Sequence, residues 1–296
     1  MIKIYGFGNA MIDIEIQIDE KDLLEINIEK GNMKHIDDSE LKFLLNKYSN
    51  NIKSRLPGGS IANSLYAANQ NGASIHFSCS VGRDEYGDYF VSSFDSENLI
   101  TYKRSKLSTG ICLIFVTEDG ERTMASNLGA NLELRPEILN LEKLGDSDFL
   151  IFDNFSLFSE GGLNTVTAAL REKKHSKICF GISDKTLIDE NIKNLKWLNQ
   201  NVIDLIYGNN NEISEMRSKL TIKSKNILET FGEKGASFND SSVPAPKIEV
   251  INTNGAGDAL IGSFLAFKDH FDDKTALFKA VGYASRVCSV NGPRLI

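Results

Sequence analysis

Short apolar runs alternate with amphipathic stretches along this chain. Residues 2–7 (IKIYGF) read as a strand that ends in a turn at Gly8–Asn9. Residues 13–19 (DIEIQID) alternate strictly and put Ile14, Ile16 and Ile18 on one face, the pattern of a half-exposed strand. Gly58–Gly59 leads into a helix over 60–71, followed by a strand (IHFSCSVG) and a further helix (DEYGDYFVSSFDSEN). Residues 111–126 predict a hairpin, because Asp119–Gly120 is a favoured tight-turn pair between two strand-like runs. More strands are expected at 148–152, 177–182, 203–207 and 225–230, with helical segments between them. This alternation predicts an α/β fold, with a mostly parallel sheet covered by helices on both faces. The strands at 13–19 and 111–126 lack the pattern of doubly buried strands. They are expected to form a small β-sheet lid, within about 13–37 and 108–128, on a single domain spanning 1–296.

Composition narrows the class. The 296 residues are 41% hydrophobic and 25% charged, an ordinary globular balance. Net charge is -7 and no Lys/Arg-rich run stands out, so neither a nucleic-acid partner nor an anionic membrane surface is indicated. Cys79, Cys112, Cys179 and Cys288 are far apart, as expected of buried thiols in a reducing compartment. The four histidines are equally scattered and suggest no zinc site. The start of the chain lacks the basic, then apolar pattern of a signal peptide, and no apolar run approaches membrane-spanning length. A cytoplasmic enzyme is the expectation.

The most informative segment is Asn252-Thr253-Asn254-Gly255-Ala256-Gly257-Asp258. After it, Leu260, Phe264, Phe267 and Phe271 fall at helical spacing, so Asp258 belongs to the first turn of an amphipathic helix. The glycines allow a backbone turn with exposed amides, and successive amides at a helix N-terminus make an anion site. A carboxylate there is favoured in its ionised form, as a general base requires. Phosphoryl transfer needs a base to position a hydroxyl and donors for charge on the moving group, and this segment offers both. The residues alone leave open a plain glycine turn with Asp258 as a helix-capping acid. No GxxxxGK[ST] segment occurs, and Met11 stands at the third glycine position of the dinucleotide fingerprint begun by Gly6-Phe7-Gly8.

Taken together, the motifs resemble the ribokinase (PfkB) family over nearly the whole chain. The catalytic Asp-Thr-x-Gly-Ala-Gly-Asp is matched by Asn252 to Asp258. The N-terminal turn and acceptor-binding Asp are matched by Gly8-Asn9-Ala10-Met11-Ile12-Asp13, and the Gly-Gly-x-x-x-Asn loop by Gly58 to Asn63. Gly82 to Gly87 match Gly-x-Asp-x-x-Gly, Asn209 to Glu212 match Asn-x-x-Glu, and Thr230 to Gly235 match Thr-x-Gly-x-x-Gly.

The resemblance implies a three-layer α/β/α, Rossmann-like domain with a β-sheet lid, and an ATP- and Mg2+-dependent kinase acting on a hydroxyl of a sugar-containing acceptor. Asp258 would be the base, and the amides of Gly255, Ala256 and Gly257 the anion hole. Asp13, Asn9, Gly58, Gly59 and Asn63 would bind acceptor. Asn209, Thr230, Gly232 and Gly235 would lie along the nucleotide, and Glu212 would act on magnesium. Position 252 is Asn where the family usually has an Asp that often helps bind K+, and the neutral amide puts potassium dependence in question.

The PGGSIAN loop, Asp119 to Met124 and Asn291-Gly292-Pro293-Arg294 resemble the adenosine-kinase-like branch, which implies a nucleoside such as adenosine. A free hexose or pentose is the alternative acceptor, and a non-catalytic sensor a further reading. The apolar face of Ile14, Ile16 and Ile18 suggests a lid-mediated homodimer as the alternative to a monomer. Arg122, in the predicted hairpin, reads either as a solvated side chain or as a lid cation reaching toward the acceptor or phosphate.

Overall fold

A computed structural model describes residues 1–94, 96–200 and 203–295. Fourteen strands are defined among them. In chain order they are β1 (Lys3–Phe7), β2 (Met11–Gln17), β3 (Met33–His35), β4 (Ile52–Gly58), β5 (Ser74–Val81), β6 (Ile100–Arg104) and β7 (Gly110–Val116). There follow β8 (Arg122–Asn127), β9 (Phe149–Asp153), β10 (Lys177–Gly181), β11 (Leu205–Asn209), β12 (Asn226–Thr230), β13 (Ala236–Phe238) and β14 (Ser241–Val243).

Nine of them form the main sheet, in the order β14-β13-β12-β11-β10-β9-β1-β5-β6. Its pairings are parallel from β6 to β12, while β13 and β14 add an antiparallel edge. Successive residues of each central strand feed opposite cores. Ile4, Ile151 and Cys179 pack into one with the helices Ser60–Gln70, Ala256–Phe267 and Asp273–Val287. Tyr5, Phe7, Leu150, Phe152 and Phe180 pack into the other, with Glu160–Glu172, Ile192–Leu198 and Asn210–Lys219. Two buried faces explain why these strands read as continuous apolar runs. Among the described residues, no helix is long and apolar enough to cross a membrane.

The second sheet, in the order β3-β8-β7-β2-β4, is the lid. Its strand β4 was not foreseen, because Lys53, Arg55 and Pro57 break the apolar pattern of IKSRLPG, as befits an edge strand. The alternation read over 13–19 is present, but its apolar face is not open to pair with a second copy. Ile14, Ile16 and Ile18 are fully or almost fully buried, sharing a cluster with Leu23 and Ile26 of the helix Glu20–Ile26 and Leu41 and Leu44 of the helix Asp38–Lys47. The lid therefore carries its own cover. Asp13, Glu15 and Gln17, on the opposite face of β2, are half-buried.

Two boundaries also differ. The helix expected over 84–98 runs only from Glu85 to Ser92, and Phe94 beyond it stacks on Phe77 with ring centres 5.8 Å apart. The strand expected at 203–207 is Leu205–Asn209, which puts Asn209 at a strand end and at a helix cap simultaneously.

Candidate active site

Strand ends, the lid and the Ala256–Phe267 helix enclose a cavity of about 570 Å³. It opens at the carboxyl ends of β1, β9, β11 and β12, where open parallel sheets bind ligands. Asn9, Asp13, Gly59, Asn63, Asn209, Glu212, Thr230 and the segment Gly255 to Asp258 all line it. Gly58, Gly232 and Gly235 do not line it. Gly58 sits behind the Asp13 carboxylate, while Gly232 begins and Gly235 closes the turn between β12 and β13.

The turn before the helix is built as its sequence requires. Gly255 occupies the left-handed region at φ 73, and a Cβ there would come within 2.5 Å of Pro293. At Gly257, by contrast, a Cβ would meet nothing within 4 Å, so internal packing does not demand that glycine. The Ala256 amide donates to Thr253 O at 3.3 Å within the turn, and the first amides of a helix have no intrahelical partners, the ordinary condition of a helix start.

Asp258 lies in the first turn of this helix, half-buried. Its Oδ1 accepts from Ser60 Oγ at 2.7 Å and its Oδ2 from Asn63 Nδ2 at 3.1 Å. Ser60 and Asn63 are one turn apart on the Ser60–Gln70 helix, so one helical face presents both donors. Burial raises the Asp258 carboxyl above the usual range, while Ser60, Asn63 and the Arg294 charge act in the other direction.

Asp13 faces the same cavity from the lid. Asn254 Nδ2 donates to its Oδ2 at 2.8 Å, and burial pushes its carboxyl up to about 6. Asp153, at the end of β9, is almost fully buried and is pushed up to about 7, first by burial and then by the Asp258 charge. Glu212 is likewise raised to about 7, chiefly by burial. It closes a capping box with Asn209. Asn209 Oδ1 accepts from the Glu212 amide at 2.9 Å, and Glu212 Oε2 accepts from the Asn209 amide at 2.9 Å.

Arg122 on β8 is neither solvated nor free. It donates to Thr253 Oγ1 at 3.0 Å and to Asn252 Oδ1, so the lid is strapped to the glycine turn. Asn252 Nδ2 in turn donates to Glu15 Oε2 on β2 at 2.8 Å. The amide at position 252 thus lies between a guanidinium and a carboxylate.

Sequence reasoning assigned no site role to Ser60, Asp153, Asn254 or Arg294, although Asn254 and Arg294 stand in motifs it quoted. Asp153 carried a signal: it follows the apolar run FLIF and so falls at the carboxyl end of a strand. The others reach Asp258 and Asp13 only through tertiary packing.

Comparison with known proteins turns on a match over most of the chain. Residues 46–295 fit the pattern of the pfkB family carbohydrate kinases. The chain belongs to the pfkB family. It is therefore a phosphotransferase whose acceptor is an alcohol group. This pfkB kinase is 26% identical to a probable fructokinase-5 of Arabidopsis thaliana, over 78% of this chain and 80% of the other. It is 23% identical to adenosine kinase 2 of the same plant, over 95% and 92%. The crystal structure of an adenosine kinase from Sinorhizobium meliloti superposes with a TM-score of 0.89 at 23% identity, covering 100% of this chain and 96% of that one. That likeness shows a shared fold, the ribokinase-like α/β arrangement with a second sheet.

Proposed function

We propose that this pfkB kinase transfers the γ-phosphoryl group of ATP to a hydroxyl of a nucleoside such as adenosine. The observation that carries the acceptor class is the make-up of the cavity lining, which joins polar groups to a sulfur-rich apolar cluster. Asn9, Asp13, Asn63 and Asp258 supply polar groups suited to ribose hydroxyls. Met11, Cys112, Ile114 and Met124 of the lid sheet form the apolar cluster, and Met33, Leu128 and Phe155 also line the cavity. A flat heteroaromatic base suits polarizable thioethers and a ring, whereas a free sugar presents hydroxyls on every edge.

In this reading Asp258 takes the proton from the acceptor hydroxyl as its oxygen attacks the γ-phosphorus, and ADP departs. Ser60 and Asn63 hold the two carboxylate oxygens, leaving the remaining lone pairs to face the hydroxyl. The amides of Gly255, Ala256 and Gly257 receive charge that develops on the transferred group. The open space at Gly257 favours that role, since a methyl there would stand where the phosphoryl group must pass.

The residues present also fit a hydrated magnesium ion. Gly208 leaves room for Glu212, whose Oε2 would lie 2.7 Å from a Cβ at that position, and the buried Ser183 Oγ and Tyr207 hydroxyl nearby lack protein partners. Glu212, with Asp184 nearby, would hold Mg2+ through water, and the ion would neutralise phosphate charge during transfer. Thr230 and Asn209 line the same end of the cavity and would contact the nucleotide.

A panel of adenosine, inosine, guanosine, ribose and fructose, assayed for ADP release with Mg-ATP, tests the assignment. Release with nucleosides and not with free sugars is the expected result. Release confined to fructose or ribose would keep the kinase and overturn the nucleoside.

A further inference from the structure

The segment Asn291-Gly292-Pro293-Arg294 threads between the lid and the glycine turn. A Cβ at Gly292 would lie 2.2 Å from Leu56 on β4, and Pro293 packs against Gly255. These contacts deliver Arg294 to the interior, where it is 4% exposed. Its guanidinium lies 5.1 Å from the ring centre of Tyr66 and 5.9 Å from that of Phe94. Nη1 donates to Ser93 Oγ at 3.1 Å, Nε donates to Asn63 Oδ1 at 2.9 Å, and Nη2 has no protein partner.

A buried guanidinium is costly unless it is paired or serves a purpose. Arg294 makes no direct ion pair among the described residues, yet it shares its surroundings with Asp13 and Asp258. What it touches is Asn63, the residue that donates to Asp258. A guanidinium has donors and no acceptor, so it dictates which end of an amide may face it. With Oδ1 of Asn63 turned toward Arg294, Nδ2 must turn toward the carboxylate, where it lies 3.1 Å from Asp258 Oδ2. Without Arg294 the amide could flip, and its oxygen would then oppose the carboxylate.

We propose that Arg294 is a positioning residue for the phosphoryl-transfer step, which it controls by fixing the orientation of Asn63 against Asp258. The inference rests on Asp258 being the base. Arg294 also brings positive charge toward that carboxylate. Ser60 and Asn63 on one helix and Arg294 act on Asp258, while the Asp258 charge acts in turn on Asp13 on β2, Asp153 on β9, Tyr207 on β11 and Glu212 on the Asn210–Lys219 helix. Three of these seven are carboxylic acids, and Arg294 is the cation among them. Its charge lowers the Asp258 carboxyl, and so does the Asn63 hydrogen bond. Loss of either moves the acidic limb of activity toward higher pH.

The test is a double-mutant cycle on kcat with Arg294→Met, Asn63→Ala and the double variant, each over a range of pH. If Arg294 acts through Asn63, each single change lowers kcat by about tenfold to a hundredfold, and the double variant is no worse than the weaker single. The acidic limb shifts upward in all three, and KM for ATP is unchanged. Losses that multiply, or an acidic limb that stays in place, overturn the proposal. Should Arg294→Met lose the native melting transition, Arg294→Lys takes its place, because it keeps the charge and loses the fork. In that cycle kcat still falls without multiplying. Asp258→Asn, run alongside, separates two failures: if that variant turns over normally, the base assignment itself falls. If it is inactive, the Arg294 result speaks to this inference alone.

Discussion

Gly58 lies diagonally across from Asp13 on the paired strands β4 and β2, so close that a single methyl on Gly58 would lie 2.3 Å from Asp13 Oδ1. The glycine is what lets a carboxylate on β2 stand over the cavity. In Gly58→Ala the side chain of Asp13, and not the backbone, can give way. We expect a native fold and a melting temperature within a few degrees of wild type, with KM for the acceptor raised about tenfold or more as the carboxylate swings aside. An unchanged KM would show that Asp13 does not hold acceptor hydroxyls.

Asp13 also sets a pH dependence of stability. Its carboxyl is raised to about 6 in the folded protein, chiefly by burial, above the value of an unfolded chain. Holding it ionised therefore costs stability. The cost is absent below the unfolded value near pH 4, grows as pH rises toward 6, and is fully present above it. Asp13→Asn removes this cost, worth on the order of 1 kcal/mol after allowance for partial exposure. The variant is expected to melt roughly 2 °C higher than wild type at pH 8, to match it at pH 4, and to be nearly inactive. Thermal melts at the two pH values check this, and a variant less stable at pH 8 would contradict the burial argument.

Arg122 reaches from β8 to Asn252 and Thr253, so lid position and turn geometry are tied together. Arg122→Met cuts that strap. A lid that no longer seats should admit water, so acceptor-free ATP hydrolysis should rise relative to acceptor phosphorylation, while turnover falls about tenfold or more. ADP release with and without acceptor gives the ratio, and an unchanged ratio would remove the strap from the account.

The covered lid bears on assembly. Ile14, Ile16 and Ile18 are sealed by the chain's own helices, and edge strand β4 exposes Lys53 and Arg55. Light scattering should give the mass of one chain, 32.8 kDa. A stable dimer would mean that some other face associates.

The parts of the site that were legible in the sequence are those built from local chain. The glycine turn and the helix carrying Asp258 follow from adjacent residues, as does the strand that ends beside Asn9. What was hidden depends on chain segments far apart in sequence. Asn63 to Asp258 and Asn63 to Arg294 are contacts across about two hundred residues, and no periodicity announces them. The same limit explains the lid. The alternation in 13–19 correctly separates an apolar face from a polar one, but it cannot say that two helices cover the first and the active site faces the second. Thr230, Gly232 and Gly235 form one motif in sequence, yet only Thr230 reaches the cavity wall, because the two glycines are occupied in turning the chain from β12 to β13.

The central claim is that Asp258 is the base of a phosphoryl transfer. Its most direct test is the rate of acceptor-dependent ADP formation by Asp258→Asn at saturating Mg-ATP and adenosine, with nucleotide binding measured on the same preparation. Asparagine keeps the shape and the contact with Ser60 but cannot take a proton. We predict unchanged ATP binding and a turnover reduced about a hundredfold to ten-thousandfold. Turnover within a few-fold of wild type would contradict the account.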